Sequence, residues 1–556
     1  MRRLGRYPQL ALLTLCLGLV SFTFASPLLN AFSRGGIHSI LSNCFGDGWG
    51  VPFLRSAAFA VVTPIVCIPL GFLFALLAKD CANFLRAPLA ILMAPMLMGG
   101  VALAFCVKLD VLRSATVVGL IANRAFIPTW GLMLLAQTWQ LLTLATYLFW
   151  FRLQLVPARI HRFAEGSGLS ALEYARDVYW PHARNLAGIL TLFISTTSFY
   201  EFIKFYLVLR ASPGGGTELA SHWLLRFYNF YADVDPRVAT RMSLAMAGVG
   251  IVFAIVVALV AITMTLASID IGTRWLAKVG SRRPGRHSVR PNLVAACAIV
   301  TAVLPVSGLV PYLRWQGFAP ISEFSRSVLL ALIASIIALL LSVLLGISGR
   351  LLLRQTMERF DARSAVVFAA LYFVQVIPAI GIALCGYYWL GVLASRGSVA
   401  AWVPVLWLAC QVIIALPLTA SFVQVSHFRV RTIELDFQES SRVGLRDVIW
   451  HSFLRRFSLD YLLVAIFGFS IIWTESTVNS TLSNLSRSIP SLAVELTQRV
   501  DGRGASYPEA AGLILTTLVP VLLCLSLWVY DNRSGKVFIP SRPIGIPRAE
   551  GAVPRT

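Results

Sequence analysis

The sequence predicts an all-α polytopic membrane protein of about 12 transmembrane helices, arranged as two parallel six-helix repeats. Three observations lead there: extreme apolarity, apolar runs of membrane-spanning length, and a charged loop that recurs in each half. With 57% hydrophobic residues, only 13% charged and a mean hydropathy of +0.76, the 556-residue chain falls outside the soluble globular class.

A spanning helix needs about 20 predominantly apolar residues. In the first half such runs lie near 9–32, 57–78, 87–109, 130–152, 184–207 and 243–267. The second half supplies 292–312, 327–348, 365–393, 401–424, 460–476 and 508–530. The first run follows Arg2, Arg3 and Arg6 and ends in a signal-peptide-like "FTFASP". Keeping it preserves an even count and the orientation that follows.

Cytoplasmic loops carry an excess of Lys and Arg. The loop after the sixth run holds Arg274, Lys278, Arg282, Arg283, Arg286 and Arg290, and the loop after the eighth holds Arg350, Arg354, Arg359 and Arg363. Both therefore fall inside, and both termini are cytoplasmic. The net charge of +22 reads as an orientation signal and not as a nucleic-acid footprint. The nine cysteines show no C-x-x-C spacing, and Cys16, Cys67, Cys106, Cys297, Cys385, Cys410 and Cys524 sit within apolar runs. They read as small buried hydrophobes.

The repeat shows in "FLRSAAFAVV" from Phe53 and "FSRSVLLALI" from Phe324, which place Ser56 and Ser327 alike at the head of a span. Gly168 follows Ser56 by 112 residues and Gly444 follows Ser327 by 117. This divides the chain into a first half at 1–277, a basic linker at 278–291, a second half at 292–535 and a cytoplasmic tail at 536–556. Each half starts inside and holds an even number of spans, so the repeats are parallel. Between the fourth and fifth span of each half lies a loop of about 30 residues, 153–183 and 425–459, long for a mere connection.

Within those loops run "RFAEGSGLSALEYARDVYWP" from Arg162 and "QESSRVGLRDVIWHSFLRRF" from Gln438. They resemble the "EAA" loop of permease subunits in binding-protein-dependent ABC importers, which runs Glu-Ala-Ala, three residues, Gly, nine residues, Ile-x-Leu-Pro. The first copy matches at Ala164, Gly168, Val178 and Pro181, with Arg162 in the glutamate place and Glu165 one helical turn on. In the second, Gly444 and Leu454 fit, Gln438 takes the glutamate place with Glu439 beside it, and Phe457 replaces the proline. The whole chain is similar to the fused permeases of thiamine and ferric-iron importers. That resemblance implies a type I permease fold in a bacterial inner membrane. It also implies two copies of a separate ATPase that carries ATP and Mg, and a periplasmic binding protein that delivers a small solute. Thiamine-like or ferric-iron-like cargo is favoured, with polyamine, phosphonate or sugar as alternatives. The coupling residues would be Ala164, Glu165, Gly168, Val178, Pro181, Glu439, Gly444 and Leu454.

Two acids complete the reading. Glu201 and Glu475 follow Gly168 and Gly444 by 33 and 31 residues, and an ionisable group kept in a membrane is a functional candidate. Both are candidates to line the substrate path. Lys204, one turn from Glu201, offers a structural ion pair instead, and Glu475 with its following polar run could cap a helix end. There is no G-x-x-x-x-G-K-[ST] loop, no H-E-x-x-H and no G-x-S-x-G, so the chain reads as a transport subunit without a cofactor or metal of its own, not an enzyme. The alternative is a 12-helix secondary transporter of major facilitator type. Its long cytoplasmic loop joins the two halves, whereas here each half carries its own after the fourth span.

Overall fold

The computed structural model describes residues 26–31, 50–79, 88–97, 129–154, 171–201, 236–280, 291–303, 321–353, 379–394, 399–427 and 444–475, with a few single residues and the pair 219–220 between and beyond them. Among the described residues the regular structure is entirely helical. In chain order the elements are α1 (Gly50–Ala78), a 3₁₀ turn (Pro88–Met93) running into α2 (Ala94–Leu97), and α3 (Thr129–Gln154). Then come α4 (Ala171–Tyr174), a π-helical turn (Ala175–Tyr179), α5 (Trp180–Phe199) and α6 (Pro236–Gly280). The second half has α7 (Pro291–Val303), α8 (Ile321–Leu353), α9 (Ala379–Ala394) and α10 (Val399–His427). It closes with α11 (Leu445–Val448), a second π-helical turn (Ile449–Leu454) and α12 (Ser458–Thr474).

Among the described residues four stretches, Gly50–Ala78, Thr240–Gly272, Val328–Ser348 and Trp402–Gln424, are long and apolar enough to cross a bilayer. Their outward faces are apolar too. On α8, Leu329, Leu332, Ile333, Ile336, Leu340 and Leu344 are all exposed, and on α6 so are Val252, Val256, Leu259, Val260 and Met264. A soluble surface rarely carries a stripe of that extent, whereas lipid receives it without cost. The chain is a helical membrane protein. Helices α3, α5, α7, α9 and α12 overlap the fourth, fifth, seventh, ninth and eleventh expected spans without being among those four stretches, while 9–32 and 508–530 lie mainly outside the described residues.

Two helix triads form the framework. In the first, α1 and α3 run parallel, as a series of contacts in rising order shows: Cys67 Sγ to the Thr138 carbonyl, Gly71 against Ala145, and Gln154 Nε2 donating to the Lys79 carbonyl at 2.9 Å. Helix α5 runs antiparallel to both. It pairs Phe199 with Phe53 and Trp180 with Phe72, and Gln137 Nε2 donates to Ser198 Oγ at 3.1 Å.

The second triad repeats this plan. Helices α8 and α10 are parallel through Ser342 and Thr419, whose hydroxyls lie 2.7 Å apart, Gly346 against Val423 and His427, and Arg350 against Val430. Helix α12 runs back along them, with Gly468 against Thr419, Phe422 against Phe467 and His427 against Tyr461. The triads meet in an apolar core where Phe53, Phe199 and Leu244 of α1, α5 and α6 pack with Ile382, Cys385 and Trp407 of α9 and α10.

Several expected boundaries move. Helix α1 starts at Gly50, seven residues before the expected 57, because Phe53 is buried against Phe199 and extends the packed face. Helix α6 has 45 residues, about 68 Å at 1.5 Å per residue, and so projects well beyond a hydrocarbon core of about 30 Å. Helix α5 ends at Phe199, not near 207, where the Tyr200 N–H turns to the Ser198 and Thr196 carbonyls. Arg350, counted from sequence as a loop cation, is 1% exposed in the last turn of α8. Cys297 is exposed on α7, whereas Cys67, Cys385 and Cys410 are buried free thiols as expected.

Candidate functional site: two loop-to-helix junctions

Each triad receives its third helix through a π-helical turn. In the first, the Trp180 N–H donates to the Ala175 carbonyl five residues back. The cause is local: Pro181 follows, has no N–H, and cannot supply the Asp177 carbonyl with its ordinary α-helical donor. In the second, Arg455 N–H donates to the Trp450 carbonyl at 2.9 Å, again five residues back. No proline follows here. Phe457 instead leaves the helical region, at φ −110° and ψ 21°, and the segment Arg446–Leu454 meets Ser458–Trp473 at 69°.

Both turns present one buried face. Val178, Tyr179 and Trp180 are buried in the first, and the Trp180 indole N–H donates to Asp270 Oδ1 of α6 at 2.5 Å. Arg152 Nε donates to the His182 carbonyl at 3.0 Å, tying the end of α3 to the start of α5. In the second turn Ser452, Phe453 and Phe457 are buried, and His427 joins them. Its ring centre lies 5.0 Å from that of Phe453 and 5.6 Å from that of Phe457, and its Nε2 shares a 2.7 Å hydrogen bond with Tyr461 Oη. Gly346 makes room for it, since a Cβ there would stand 2.8 Å from His427 Nδ1. His427 lies three residues beyond the apolar stretch Trp402–Gln424, and burial lowers its pKa from 6.5 to about 4.

The opposite faces point away from the protein. Asp177 is exposed and bridged by Arg176 at 2.7 Å and 2.8 Å, which holds its carboxyl below the usual range. In the second junction Arg446, Asp447, His451, Arg455 and Arg456 are exposed, and Trp450 stands 56% exposed among them.

Of the residues singled out in sequence, Ala164, Glu165, Gly168 and Glu439 lie outside the described residues. Val178 sits buried inside the first π-turn, and Pro181 is exposed at the start of α5. Leu454 ends the second π-turn, half-buried against the cluster of Phe453, Phe457 and Val448. Gly444 is exposed, and its carbonyl accepts from the N–H groups of Asp447 and Val448 at 3.0 and 3.1 Å, which opens α11. Its backbone is not left-handed, and a Cβ would meet only the end of the Asp447 side chain at 3.4 Å. Glycine is therefore not required there by conformation.

Glu201 and Glu475 are half-buried at the ends of α5 and α12, not within them. Their N–H groups donate to the Ser198 and Ile472 carbonyls, in the same closing turn. Lys204, the alternative partner of Glu201, lies outside the described residues. Glu475 lies close enough to Cys410 of α10 to act on its thiol electrostatically. Sequence reasoning missed Lys79, Asp270, Arg350, His427 and Tyr461. Asp270 alone carried a signal, as the one carboxylate in the apolar stretch Thr240–Gly272.

Comparison with protein-family models, with curated proteins and with solved structures finds no match for this chain.

Proposed function

We propose that this chain is the permease subunit of a binding-protein-dependent ABC importer. It forms the substrate path in a bacterial inner membrane and couples to a separate ATPase through its two loop-to-helix junctions. The observation that supports this reading most is the junction pair: each combines a short helix, a π-turn with one buried face and an exposed opposite face, at the same place in its triad. A partner that pushed on such a junction would move the third helix of that triad. Two ATPase subunits closing on ATP would press the junctions together, tilt the triads and open a path to a loaded binding protein, with hydrolysis reversing the motion. The bias comes from the ATPase binding the two states with different affinity. The cargo is a small solute, thiamine-like or ferric-iron-like in the favoured form, and Glu201 and Glu475 flank its path.

The test is a mild-detergent pull-down from native membranes with mass spectrometry of the co-purifying chains. Two copies of a P-loop ATPase per chain are expected. A folded chain that repeatedly comes down alone refutes the reading and leaves the secondary transporter. Gly444 sharpens the test, since Gly444→Ala leaves the fold intact and Gly444→Trp should abolish ATPase capture without lowering membrane levels.

A further inference from the structure

Lys79 and Arg350 follow Ser56 and Ser327 by the same 23 residues. They lie just past the apolar stretches Gly50–Ala78 and Val328–Ser348. A cation at the edge of the hydrocarbon layer ordinarily extends toward water. Here Lys79 turns onto the junction of its own half, and Arg350 turns onto Val430, which packs in the cluster that buries the second junction. Lys79 Nζ lies 4.3 Å from the Tyr179 ring centre and 5.9 Å from that of Tyr174, and the two rings are themselves paired at 4.9 Å. Arg350 donates from Nη2 to the Val430 carbonyl at 2.5 Å. Val430 in turn donates its N–H to the His427 carbonyl, and the His427 ring packs on Phe453 and Phe457.

The surrounding backbone corresponds as well. Val156 closes on Leu153 as Val430 closes on His427, with N–H to carbonyl distances of 3.3 and 3.1 Å. Gln137 and Gln411, both buried, are separated by the same 274 residues as those two pairs. In each half the end of the first core helix is hydrogen-bonded to the end of the parallel one, through Gln154 to the Lys79 carbonyl and through Arg350 to the Val430 carbonyl.

We propose that Lys79 and Arg350 are corresponding latches. They are positioning residues that hold each junction against the end of its own first core helix, so that displacement of the junction is passed to α1 or α8. The inference rests on the proposed function only for what moves the junctions; the latches belong to the chain alone. Lys79 grips two ring faces, while Arg350 acts through one carbonyl and a histidine in the interior.

Hydrogen–deuterium exchange of the full chain in lipid nanodiscs, without a partner, tests this. Lys79→Met should speed exchange at 171–180 about fivefold to tenfold, leave 444–457 unchanged, and be reversed by Lys79→Arg, which still faces both rings. Arg350→Gln should act only on 444–457, with Arg350→Lys, which keeps a donor, closer to the wild type. Equal acceleration of both junctions by either variant would mark a general loss of stability and overturn the proposal, as would wild-type exchange in Lys79→Met. The pull-down reads separately. Latched junctions without an ATPase remove the importer reading alone, and an ATPase with unlatched behaviour removes the latches alone.

Discussion

Gly71→Ala is the most direct test of how the first triad is held. A methyl group at Gly71 would stand 2.9 Å from Ala145 Cβ, 3.1 Å from the Thr146 nitrogen and 3.3 Å from the Ala145 carbonyl carbon. Carbon atoms in good contact sit about 3.5–4.0 Å apart, so α1 and α3 must separate by about 0.6–1 Å. Two of the three obstacles are backbone, so no rotamer change relieves them. Overpacking of this kind costs about 1–3 kcal/mol, while replacing a helical glycine by alanine returns about 0.8–1 kcal/mol of propensity. Gly188→Ala on α5 and Gly272→Ala on α6 isolate the second effect, because nothing lies within 4 Å of a Cβ at either site. Thermal melting in detergent, followed by tryptophan fluorescence, should rank Gly188→Ala and Gly272→Ala at or above the wild type and Gly71→Ala below both by about 1–3 kcal/mol. A Gly71→Ala protein melting together with Gly188→Ala would refute the close parallel packing of α1 on α3.

The second triad makes its own predictions. Thr419→Val removes the 2.7 Å hydroxyl contact with Ser342, but each hydroxyl also has a carbonyl on its own helix, at Ala415 and Ala338. The same melting assay should show a loss of about 0.6 kcal/mol, and a loss above about 1.7 kcal/mol would contradict that sharing. His427 is held neutral by burial, with a pKa near 4 against 6.5. The unfolded chain therefore binds the proton first, so stability is complete above pH 6.5 and drains away as pH falls toward 4. By pH 5 the loss is about 2 kcal/mol, and His427→Gln should lack that share of the acid sensitivity; identical pH profiles would refute the assignment.

The helices were largely legible because a bilayer demands long apolar runs, and those runs announce themselves in sequence. Their ends were not. The run near 184–207 stays apolar past Phe199, yet the helix closes where Thr196 and Thr197 turn their hydroxyls back to the Leu192 and Phe193 carbonyls and Tyr200 takes up a capping geometry. The junctions were legible as positions, through their charge and their recurrence. What holds them was not, because Lys79 meets rings about a hundred residues away and Arg350 meets a main-chain carbonyl, which leaves no mark in sequence. Arg350 even read as the opposite of what it is, a solvated orientation charge.

The two triads pack alike with different chemistry. Where the first brings α1 and α3 together through Gly71 and Ala145, the second joins α8 and α10 through Ser342 and Thr419. Leu153 fills the first triad where His427 fills the second, and Pro181 stands where Phe457 turns the chain. The first junction is thus fastened by apolar packing, ring faces and Trp180 on Asp270, and the second by a buried arginine, a histidine and a tyrosine. A buried neutral histidine must take up a proton as pH falls, and the second junction is packed around one. Acidification should therefore loosen the second junction, an effect that His427→Gln removes.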